Sequence, residues 1–391
     1  MALKDYIIKE KNYMVQLRRH FHAHPEVSLQ EYETCKKIEE ELDSLGIPHT
    51  NVGKTGVYAW IDGKKSPQGK IVALRGDMDA LAMEDLKTVP YHSQRKGFCH
   101  ACGHDAHTAT LLGAAKVLKS MENDFSGQIR LFFQQAEEIG QGARLFVEGG
   151  LLEGCKRVFG AHVASRLESG KVALTKGPQC ASCDYFKIEI TGKGAHVSMP
   201  HLGVDAAYIA AQIVVNLQSI VARSTAPLET VVVGVGVIKA GTQYNIVAEK
   251  AEIEGTTRSF LPEVRKFTNE RVVEIAKQTA AMYGAVAEVT FLDFAAPLVN
   301  DGDTVEEVTA VAERLIERSN IVTDYEKALG ADDFADYLAV AKGMYAFIGT
   351  GNDENPNTRV AHHHGLFDID EEAMLISCNL YVDYALWVLQ S

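Results

Sequence analysis

The segment 98–118 concentrates side chains that bind metal ions or carry protons. It reads FCHACGHDAHTATLLGAAKVL, and the seven residues from Cys99 to Asp105 include two cysteines, two histidines and an aspartate. Thiolate, imidazole and carboxylate groups are ligands that zinc and related divalent cations accept. The Cys99-x-x-Cys102 spacing also fits a redox dithiol, and a second such pair at 180–183 would allow a four-cysteine zinc knuckle. Ligands from elsewhere in the chain must decide between these chemistries.

Four further segments carry suitable side chains within a predicted strand or shortly after one. They are Asp77 after strand 70–75, Glu137-Glu138 after strand 128–134, His162 in strand 157–163, and the histidines at 362–364 after strand 344–349. In open α/β sheets, ligands bind beyond the carboxyl ends of the strands. We therefore expect all these side chains to meet at one edge of one sheet, in a metal site.

The adjacent pair Glu137-Glu138 fits a division of labour in a metal hydrolase. One carboxylate can bind the cation while its neighbour remains free to act as a general base on water. The free carboxylate must later deliver a proton to the leaving amine, so its pKa is predicted to be raised. Adjacent glutamates also occur by chance on helix surfaces, as at Glu39-Glu40, and only the position after an apolar strand distinguishes the pair at 137–138.

Short apolar runs alternate with helical stretches in the first part of the chain. The predicted strands are 57–61, 70–75, 128–134 and 157–163, and the predicted helices are 106–121 and 140–149. Continuous apolar strands that alternate with helices indicate an α/β domain with a mostly parallel sheet. Asp105 is the expected N-cap of the first helix, because its carboxylate could accept hydrogen bonds from the first free amides.

The pattern changes near residue 178, and the alternation returns after Pro297. Between them the sequence predicts the order β-α-β-β-α-β, a compact unit that can fold by itself. Its strands are predicted at 186–191, 230–238, 251–257 and 287–294, and its helices at 205–223 and 262–284. The sequence thus predicts a catalytic α/β domain formed by residues 1–178 and 296–391, interrupted by an inserted domain at 179–295.

The composition is that of a soluble globular protein. The 391 residues are 46% hydrophobic and 23% charged, which allows two domains and a large core. The net charge of −13 argues against nucleic acid or an anionic membrane as the main partner. We expect no signal peptide and no bilayer-spanning stretch. Seven scattered cysteines, an odd number, favour a reducing compartment, so the expected location is the cytoplasm.

Eight segments together resemble the M20 family of metallo-amidohydrolases. They are LRRHFHAHPEVSLQEYET, LRGDMDAL, HACGHDAH, FQQAEE, GAHV, ITGKGAHVSMPHLGVDA, YNIVAE and HHHGLFDIDEEA. The most similar branch cleaves N-acyl amino acids and contains hippurate hydrolases, indole-acetyl-amino-acid hydrolases and N-acetyl-amino-acid deacetylases. The resemblance runs nearly end to end, and HACGHDAH with a downstream AEE is specific to this branch. It implies a zinc-peptidase-like catalytic domain with an inserted, ferredoxin-like lid or dimerisation domain.

The resemblance also implies roles for individual residues. The implied metal ligands are Cys102, His104, Glu138, His162 and, within the triplet at 362–364, His363, which lies four residues before the phenylalanine of FDID. The other implied roles are general base and acid for Glu137, orientation of a ligating side chain for Asp77, contact with the oxyanion for His196, and substrate binding for Asn245 and Arg258.

By the same resemblance, the cofactor is a divalent metal, with two ions of zinc or manganese per chain. The implied substrate is a small N-acyl amino acid, whose amide bond is hydrolysed. The implied assembly is a homodimer through the inserted domain, and in relatives the histidine at the position of His196 often acts across that interface.

Some positions depart from the family pattern without removing a ligand. Gln135 replaces a proline, Asp332 replaces a glutamate, and Gly365-Leu366 replaces Pro-Lys. Arg75 stands where the wider M20 peptidases have a metal-binding histidine, as it does in this branch. Together with Cys102, it favours an acyl-amino-acid hydrolase over a dipeptidase, aminopeptidase or carboxypeptidase of the wider family.

Other functions remain open at this point. A binding protein that has lost its chemistry would have no need of the unliganded Glu137, whereas a thiol-redox protein would use Cys99 and Cys102. His107 is expected to orient a ligand rather than to bind the metal itself. His201 could contact the substrate or could be an ordinary loop residue.

Overall fold

The computed structural model describes residues 7–66 and 68–391. The helices are α1 (Lys11–Ala23), α2 (Tyr32–Leu45), α3 (His104–Ser120), α4 (Gly142–Glu148), α5 (Ala206–Ser219), α6 (Pro262–Met282), α7 (Gly302–Ala312), α8 (Phe334–Val340) and α9 (Ala373–Gln390). The strands are β1 (His49–Val52), β2 (Gly56–Asp62), β3 (Ile71–Asp77), β4 (Gln128–Gln134), β5 (Cys155–Glu168), β6 (Val172–Ala173), β7 (Gly177–Cys180), β8 (Cys183–Thr191), β9 (Ala195–His196), β10 (Val231–Ala240), β11 (Ile246–Val247), β12 (Lys250–Ser259), β13 (Val286–Ala295), β14 (Leu298–Asn300), β15 (Ile321–Val322) and β16 (Gly343–Gly351).

The strands predicted in the first part of the chain lie side by side in one large sheet. Its order is β1-β2-β4-β3-β5-β16-β6-β15. The central neighbours β4, β3, β5 and β16 run parallel, whereas β1 and β2 form an antiparallel edge. Strand β3 is buried along nearly its whole length, as expected in a parallel sheet that is covered on both faces. The prediction of an α/β fold with a large, mostly parallel sheet is confirmed.

Helix α3 carries the histidine-rich segment against the sheet. It begins directly after Gly103, and most of its side chains are buried. The prediction that Asp105 caps this helix is wrong. The N-cap is Gly103, with φ of +94°, and Asp105 lies inside the helix, where it accepts from Arg18 (3.0 Å) and contacts His22 (2.7 Å). A Cβ at Gly103 would lie 2.3 Å from Val163, so glycine is required for this close approach to β5.

The contacts within the chain divide it into two compact units. One unit holds the residues up to Gly177 together with Asn300–Glu326 and Asp332–Ser391, and the other holds Pro178–Val299 and Lys327–Ala331. The second unit contains an antiparallel sheet of order β10-β12-β8-β13. Helices α5 and α6 pack against this sheet. Along the chain the elements follow the order β8, α5, β10, β12, α6, β13.

One helical stretch in the second unit is long and apolar enough, by length and composition, to cross a membrane. It runs from Ala206 to Ser224 and joins α5 to the π-helical turn Ile220–Ser224. Length and composition alone do not distinguish a membrane span from a helix that packs in a protein core, so this stretch does not overturn the expectation. Ile209, Ile213 and Leu217 on this helix are buried in the core of the unit, so its apolar character serves packing.

Candidate metal centre

Ligand atoms from separate parts of the chain converge where β3 and β4 end. They belong to Cys102 and His104 around the start of α3, Glu137 and Glu138 after β4, His162 in β5, and His363 after β16. Their ligand atoms form overlapping groups in which all atoms lie within 4.8 Å of one another: Cys102, His104 and His162; Cys102, Glu138 and His363; His104, Glu137 and Glu138. We call these six residues the donor cluster.

The imidazole of His104 is oriented by Asp79. Its Nδ1 donates to the Asp79 carbonyl oxygen (3.0 Å) and faces the Asp79 carboxylate (3.3 Å), which directs Nε2 toward the other ligand atoms of the cluster. This Nε2 is buried and lacks a hydrogen-bond partner among the described residues, at 3.8 Å from a Glu137 oxygen and 3.9 Å from a Glu138 oxygen. Although burial opposes protonation, the Asp77 carboxylate and the Cys102 thiol raise the pKa of His104 well above its ordinary value, and a divalent cation at Nε2 would take the place of that proton.

His162 presents its Nε2 to the cluster in the same way. Its Nδ1 donates to the carbonyl oxygen of Val163 (2.7 Å), and its Nε2 lies 3.5 Å from the sulfur of Cys102. Burial, with the neighbouring His107 and His362, holds the pKa of His162 well below its ordinary value. The side chain is therefore neutral and able to bind a cation through Nε2.

Of the three consecutive histidines, His363 faces the donor cluster. Its Nε2 lies 3.4 Å from a carboxylate oxygen of Glu138, and its backbone amide donates to the carbonyl of Ala101 (2.8 Å). Its φ of +63° is rare for a residue with a side chain. His362 packs against His162 at a ring-centroid distance of 5.3 Å, and Nδ1 of His364 accepts from the backbone amide of Leu366 (3.1 Å).

The Glu137-Glu138 pair sits on a short 3₁₀ helix that begins after Ala136. Glu137 is almost fully buried. Burial, followed by the carboxylates of Asp332 and Glu138, raises the pKa of Glu137 well above its ordinary value. The neighbouring Glu138 has a buried oxygen, Oε1, without a hydrogen-bond partner among the described residues. The two carboxylates therefore have different surroundings, as a base and a ligand require.

Asp77 makes different contacts from those expected of it. Its carboxylate accepts from Arg75 and from Nδ1 of His107 (2.5 Å), and Nε2 of His107 accepts from the backbone amide of Val163 (3.0 Å). Both ring nitrogens of His107 are thereby occupied, so His107 supports β5 beside the cluster instead of offering a ligand. The hydrogen bonds that orient a cluster histidine, expected of Asp77, are made by Asp79.

Arg75 provides a permanent buried cation next to the cluster. Its guanidinium donates to Gln134 (2.8 Å), Tyr345 (3.0 Å) and Asp333 (3.0 Å), and it also pairs with Asp77. Although burial opposes ionisation of Asp77, this guanidinium holds the pKa of that carboxyl well below its ordinary value. Arginine thus occupies the end of β3 as a counter-ion for carboxylates and not as a ligand.

The other predicted site residues lie in the second unit. His196 and Asn245 come close through the short β9–β11 pair, in which Ile246 lies opposite His196 and the Asn245 carbonyl accepts from the Val197 amide (3.1 Å). Arg258, on β12, donates to the backbone carbonyl of Leu329 (3.0 Å), a residue of the same unit. His201, the other histidine considered as a possible substrate contact, is exposed on a short 3₁₀ helix.

A second group of possible ligands lies elsewhere in the larger unit. His22, Asp85 and Cys99 have ligand atoms within 4.8 Å of one another. The ammonium group of Lys87, also buried, lies 2.9 Å from Asp85 and 3.8 Å from the sulfur of Cys99, so a side-chain cation already balances this group. The sulfur of Cys102 faces the donor cluster instead, and none of the seven cysteines forms a disulfide.

The donor cluster fits a divalent metal. A thiol, three imidazole nitrogens and a carboxylate match the ligands that zinc and its neighbours accept. The buried, unpartnered atoms His104 Nε2 and Glu138 Oε1 supply an independent indication, because native structures leave few buried polar atoms unsatisfied. Glu137 lies beside them with a raised pKa, as proton transfer at such a site requires.

Several known proteins are similar to this chain over nearly its whole length. N-acetylcysteine deacetylase from Bacillus subtilis (strain 168) is 37% identical over 383 residues, which are 97% of this chain and 97% of that protein. Thermostable carboxypeptidase 2 from Saccharolobus solfataricus is 39% identical over 377 residues, 95% of this chain and 94% of that protein. Among solved structures, the Bacillus subtilis YXEP protein, a dinuclear metal-binding peptidase from the M20 family, superimposes with a TM-score of 0.84 at 34% identity and covers 97% of this chain and 98% of its own.

The match to a family extends over most of the sequence. Residues 73–387 match the family described as Peptidase family M20/M25/M40, a range that includes every member of the donor cluster. The full-length relatives, the solved structure and the cluster all agree with this assignment. The chain belongs to peptidase family M20/M25/M40.

Proposed function

We propose that this protein is a metal-dependent amidohydrolase that cleaves the amide bond of N-acyl amino acids. The observation that carries the proposal is the donor cluster, in which the buried Glu137 stands free beside a set of metal-binding side chains. The similarity to an N-acetylcysteine deacetylase over nearly the whole chain supports the substrate class.

Two divalent cations, of zinc or manganese, are the proposed cofactors. Cys102 belongs to two of the groups in the cluster, and its thiolate, together with His104, His162, Glu138 and His363, would hold the cations. A bound divalent cation polarises the amide carbonyl and lowers the pKa of water. The dinuclear character of the YXEP structure supports a count of two.

The proposed proton carrier is Glu137. Its carboxylate takes a proton from the attacking water and then gives it to the nitrogen of the scissile amide. The C–N bond then breaks, and the amino acid leaves as a neutral amine. The raised pKa of Glu137 makes its protonated form accessible for the second step. Asp77, through His107, and Asp79, through His104, hold the surrounding groups in place.

The inserted unit, which we place at 179–295 between catalytic segments 1–178 and 296–391, is proposed to act as a lid and as a dimerisation domain. Nδ1 of His196 accepts from the Ser198 amide (3.1 Å), which leaves Nε2–H as a donor for a developing oxyanion. Asn245 and Arg258 are the proposed substrate-binding residues of this unit. The proposed assembly is a homodimer.

The role of His196 can be tested by complementation between chains. His196→Ala should lower kcat by about 10²-fold, the usual cost of losing an oxyanion donor, with the dimer intact by light scattering. The matched control His201→Ala, at a nearby exposed histidine, should keep wild-type kcat. Mixing His196→Ala chains with Glu137→Gln chains should restore activity, because a mixed dimer combines one intact residue from each chain at one site. A fully active monomer, or no recovery on mixing, would contradict action across the interface.

A carboxypeptidase or dipeptidase of the same family is the second candidate, favoured by the similarity to thermostable carboxypeptidase 2. A panel of N-acetyl and N-benzoyl amino acids and free dipeptides, assayed with added Mn²⁺ or Zn²⁺, separates the two. We expect kcat/KM to be higher for the N-acyl amino acids, because the similarity to N-acetylcysteine deacetylase extends over 97% of both chains. A preference for free dipeptides would overturn this choice.

The proposed setting is the cytoplasm, with a small-molecule substrate and with neither nucleic acid nor a membrane as partner. The net charge of −13 repels polyanionic surfaces, and seven cysteines without a disulfide among them suit a reducing compartment. Retention of full activity in the soluble fraction of lysed cells would agree with this setting, and activity confined to membranes would contradict it.

A further inference from the structure

The loop that carries the two cluster glutamates is held by a segment remote in sequence, residues 26–31, which we call the clamp segment. Its Val27 forms a parallel bridge with Ala80, directly after Asp79. Ser28 donates from its hydroxyl to the Asp79 carboxylate (2.6 Å), which also accepts from the backbone amide of Glu138 (3.1 Å). The clamp segment therefore contacts the groups that orient the donor cluster, although none of its residues belongs to the cluster.

Glu31 makes the other contact of this segment with the loop. It is fully buried, and its Oε1 accepts from the backbone amide of Ala136 (2.9 Å) while its Oε2 accepts from the hydroxyl of Thr55 (2.8 Å). The chemistry assigned to the donor cluster has no use for this carboxylate. A buried carboxylate is costly unless its hydrogen bonds do something that an apolar residue cannot.

Ala136, which Glu31 holds, has an unusual backbone. Its φ of +54° and ψ of +36° lie in the left-handed region, which a residue with a Cβ adopts only when its surroundings impose it. The three non-glycine residues with positive φ in the described part of the chain are Leu29, Ala136 and His363. One lies in the clamp segment, one in the loop that it holds, and one in the cluster itself.

The direction of Glu137 and Glu138 depends on this backbone conformation. They follow Ala136 directly, so a rotation of Ala136 to negative φ would turn both carboxylates away from His104 and Cys102. The amides on either side of Glu137, those of Ala136 and Glu138, are both fixed by carboxylates, Glu31 and Asp79.

We propose that Glu31 is a positioning residue for the Glu137-Glu138 pair, and that it acts by holding Ala136 in the left-handed conformation. This inference rests on the proposed function in so far as it concerns turnover. Cation affinity gives a readout that does not depend on which substrate the protein uses.

The test combines the loss of Glu31 with relief of the strain at Ala136. Glu31→Ala should lower kcat and weaken the affinity for Zn²⁺, measured by competition with a chelator, each by 10- to 100-fold as for other supporting residues of metal sites. KM should change far less than kcat. Glu31→Gln should restore most of both properties, because its amide oxygen can still accept from Ala136. Ala136→Gly in the Glu31→Ala background should recover at least about tenfold in kcat, since glycine adopts positive φ without strain.

Glu26→Ala is the matched control, because Glu26 is another buried glutamate of the clamp segment, and its carboxylate accepts from Thr34 and Arg95 and not from the loop that carries Glu137 and Glu138. Its loss should lower the melting temperature and leave kcat and Zn²⁺ affinity unchanged. Glu31→Asp, whose shorter carboxylate withdraws from Ala136, replaces Glu31→Ala if the latter does not fold.

Unchanged kcat and Zn²⁺ affinity in folded Glu31→Ala would overturn the inference, and so would a loss that Ala136→Gly fails to recover, since Glu31 would then act by another route. If wild-type protein hydrolyses no N-acyl amino acid, the proposed function fails, while the pattern of Zn²⁺ affinities across these variants still supports or overturns the role of Glu31.

Discussion

Replacing Glu137 by glutamine is expected to reduce kcat by about 10³-fold, within the range that general acid–base groups contribute, while metal content and KM stay near wild-type values. Glutamine has the same shape but cannot take a proton from water or deliver one to the leaving amine. Because Glu137 is proposed to be unliganded, its neutralisation should leave the cations bound. Steady-state kinetics and elemental analysis of the same purified sample measure both properties.

Glu40→Gln provides the matched control for this experiment. Glu40 also lies in a run of adjacent glutamates, is exposed on α2, and should retain wild-type kcat after the same change of charge. If Glu137→Gln turned over at the wild-type rate with metal bound, Glu137 would not be the proton carrier. Loss of the metal from this variant would instead show that Glu137 is a ligand.

Cys102→Ser should have an effect of comparable size through loss of the metal. Cys102 belongs to two of the cluster groups, and a serine hydroxyl is a poor substitute for a thiolate with zinc-like cations. We expect the bound metal to fall well below the wild-type content and kcat to fall by more than the 10- to 100-fold that supporting residues contribute. Metal content and kcat should be lost together.

Cys99→Ser is the control for the thiol, because Cys99 lies three residues earlier and is buried beside Lys87, away from the cluster groups. It should keep its metal and its kcat. Chelation should lower the melting temperature of wild-type and Cys99→Ser protein, since a ligand that binds only the folded state stabilises it, but should have little effect on Cys102→Ser. Full metal content in Cys102→Ser would remove Cys102 from the ligand set.

Much of the fold could be predicted because it is encoded by local patterns. The strands predicted at 57–61, 70–75 and 128–134 correspond to β2, β3 and β4, and the parallel pairing of β3 with β4 follows from their continuous apolar runs. The start of α3 could not be predicted in the same way. Asp105 has the residue type of an N-cap, but the approach of Gly103 to Val163 places the cap earlier, and this approach is a tertiary contact.

Some residues of the site can likewise be recognised from the sequence, and others only from their contacts in the structure. Cys102, His104 and the paired glutamates stand out in the sequence because ligand types cluster there, and the structure brings their ligand atoms together. Asp79 and Glu31 do not stand out, because their importance lies in hydrogen bonds to residues far along the chain. A single acidic residue carries no pattern that reveals such partners. The one signal for Glu31 in the sequence is the run HPEVSLQE at 24–31, which resembles the family and ends at Glu31.

The most direct test of the central claim is anomalous X-ray diffraction from crystals of the metal-loaded protein, measured at the absorption edge of the bound metal. The account predicts anomalous peaks surrounded by Cys102, His104, Glu138, His162 and His363, with the carboxylate of Glu137 outside the ligand set. Peaks only beside Asp85 and Cys99, or metal at the cluster with Glu137 as a ligand, would contradict it.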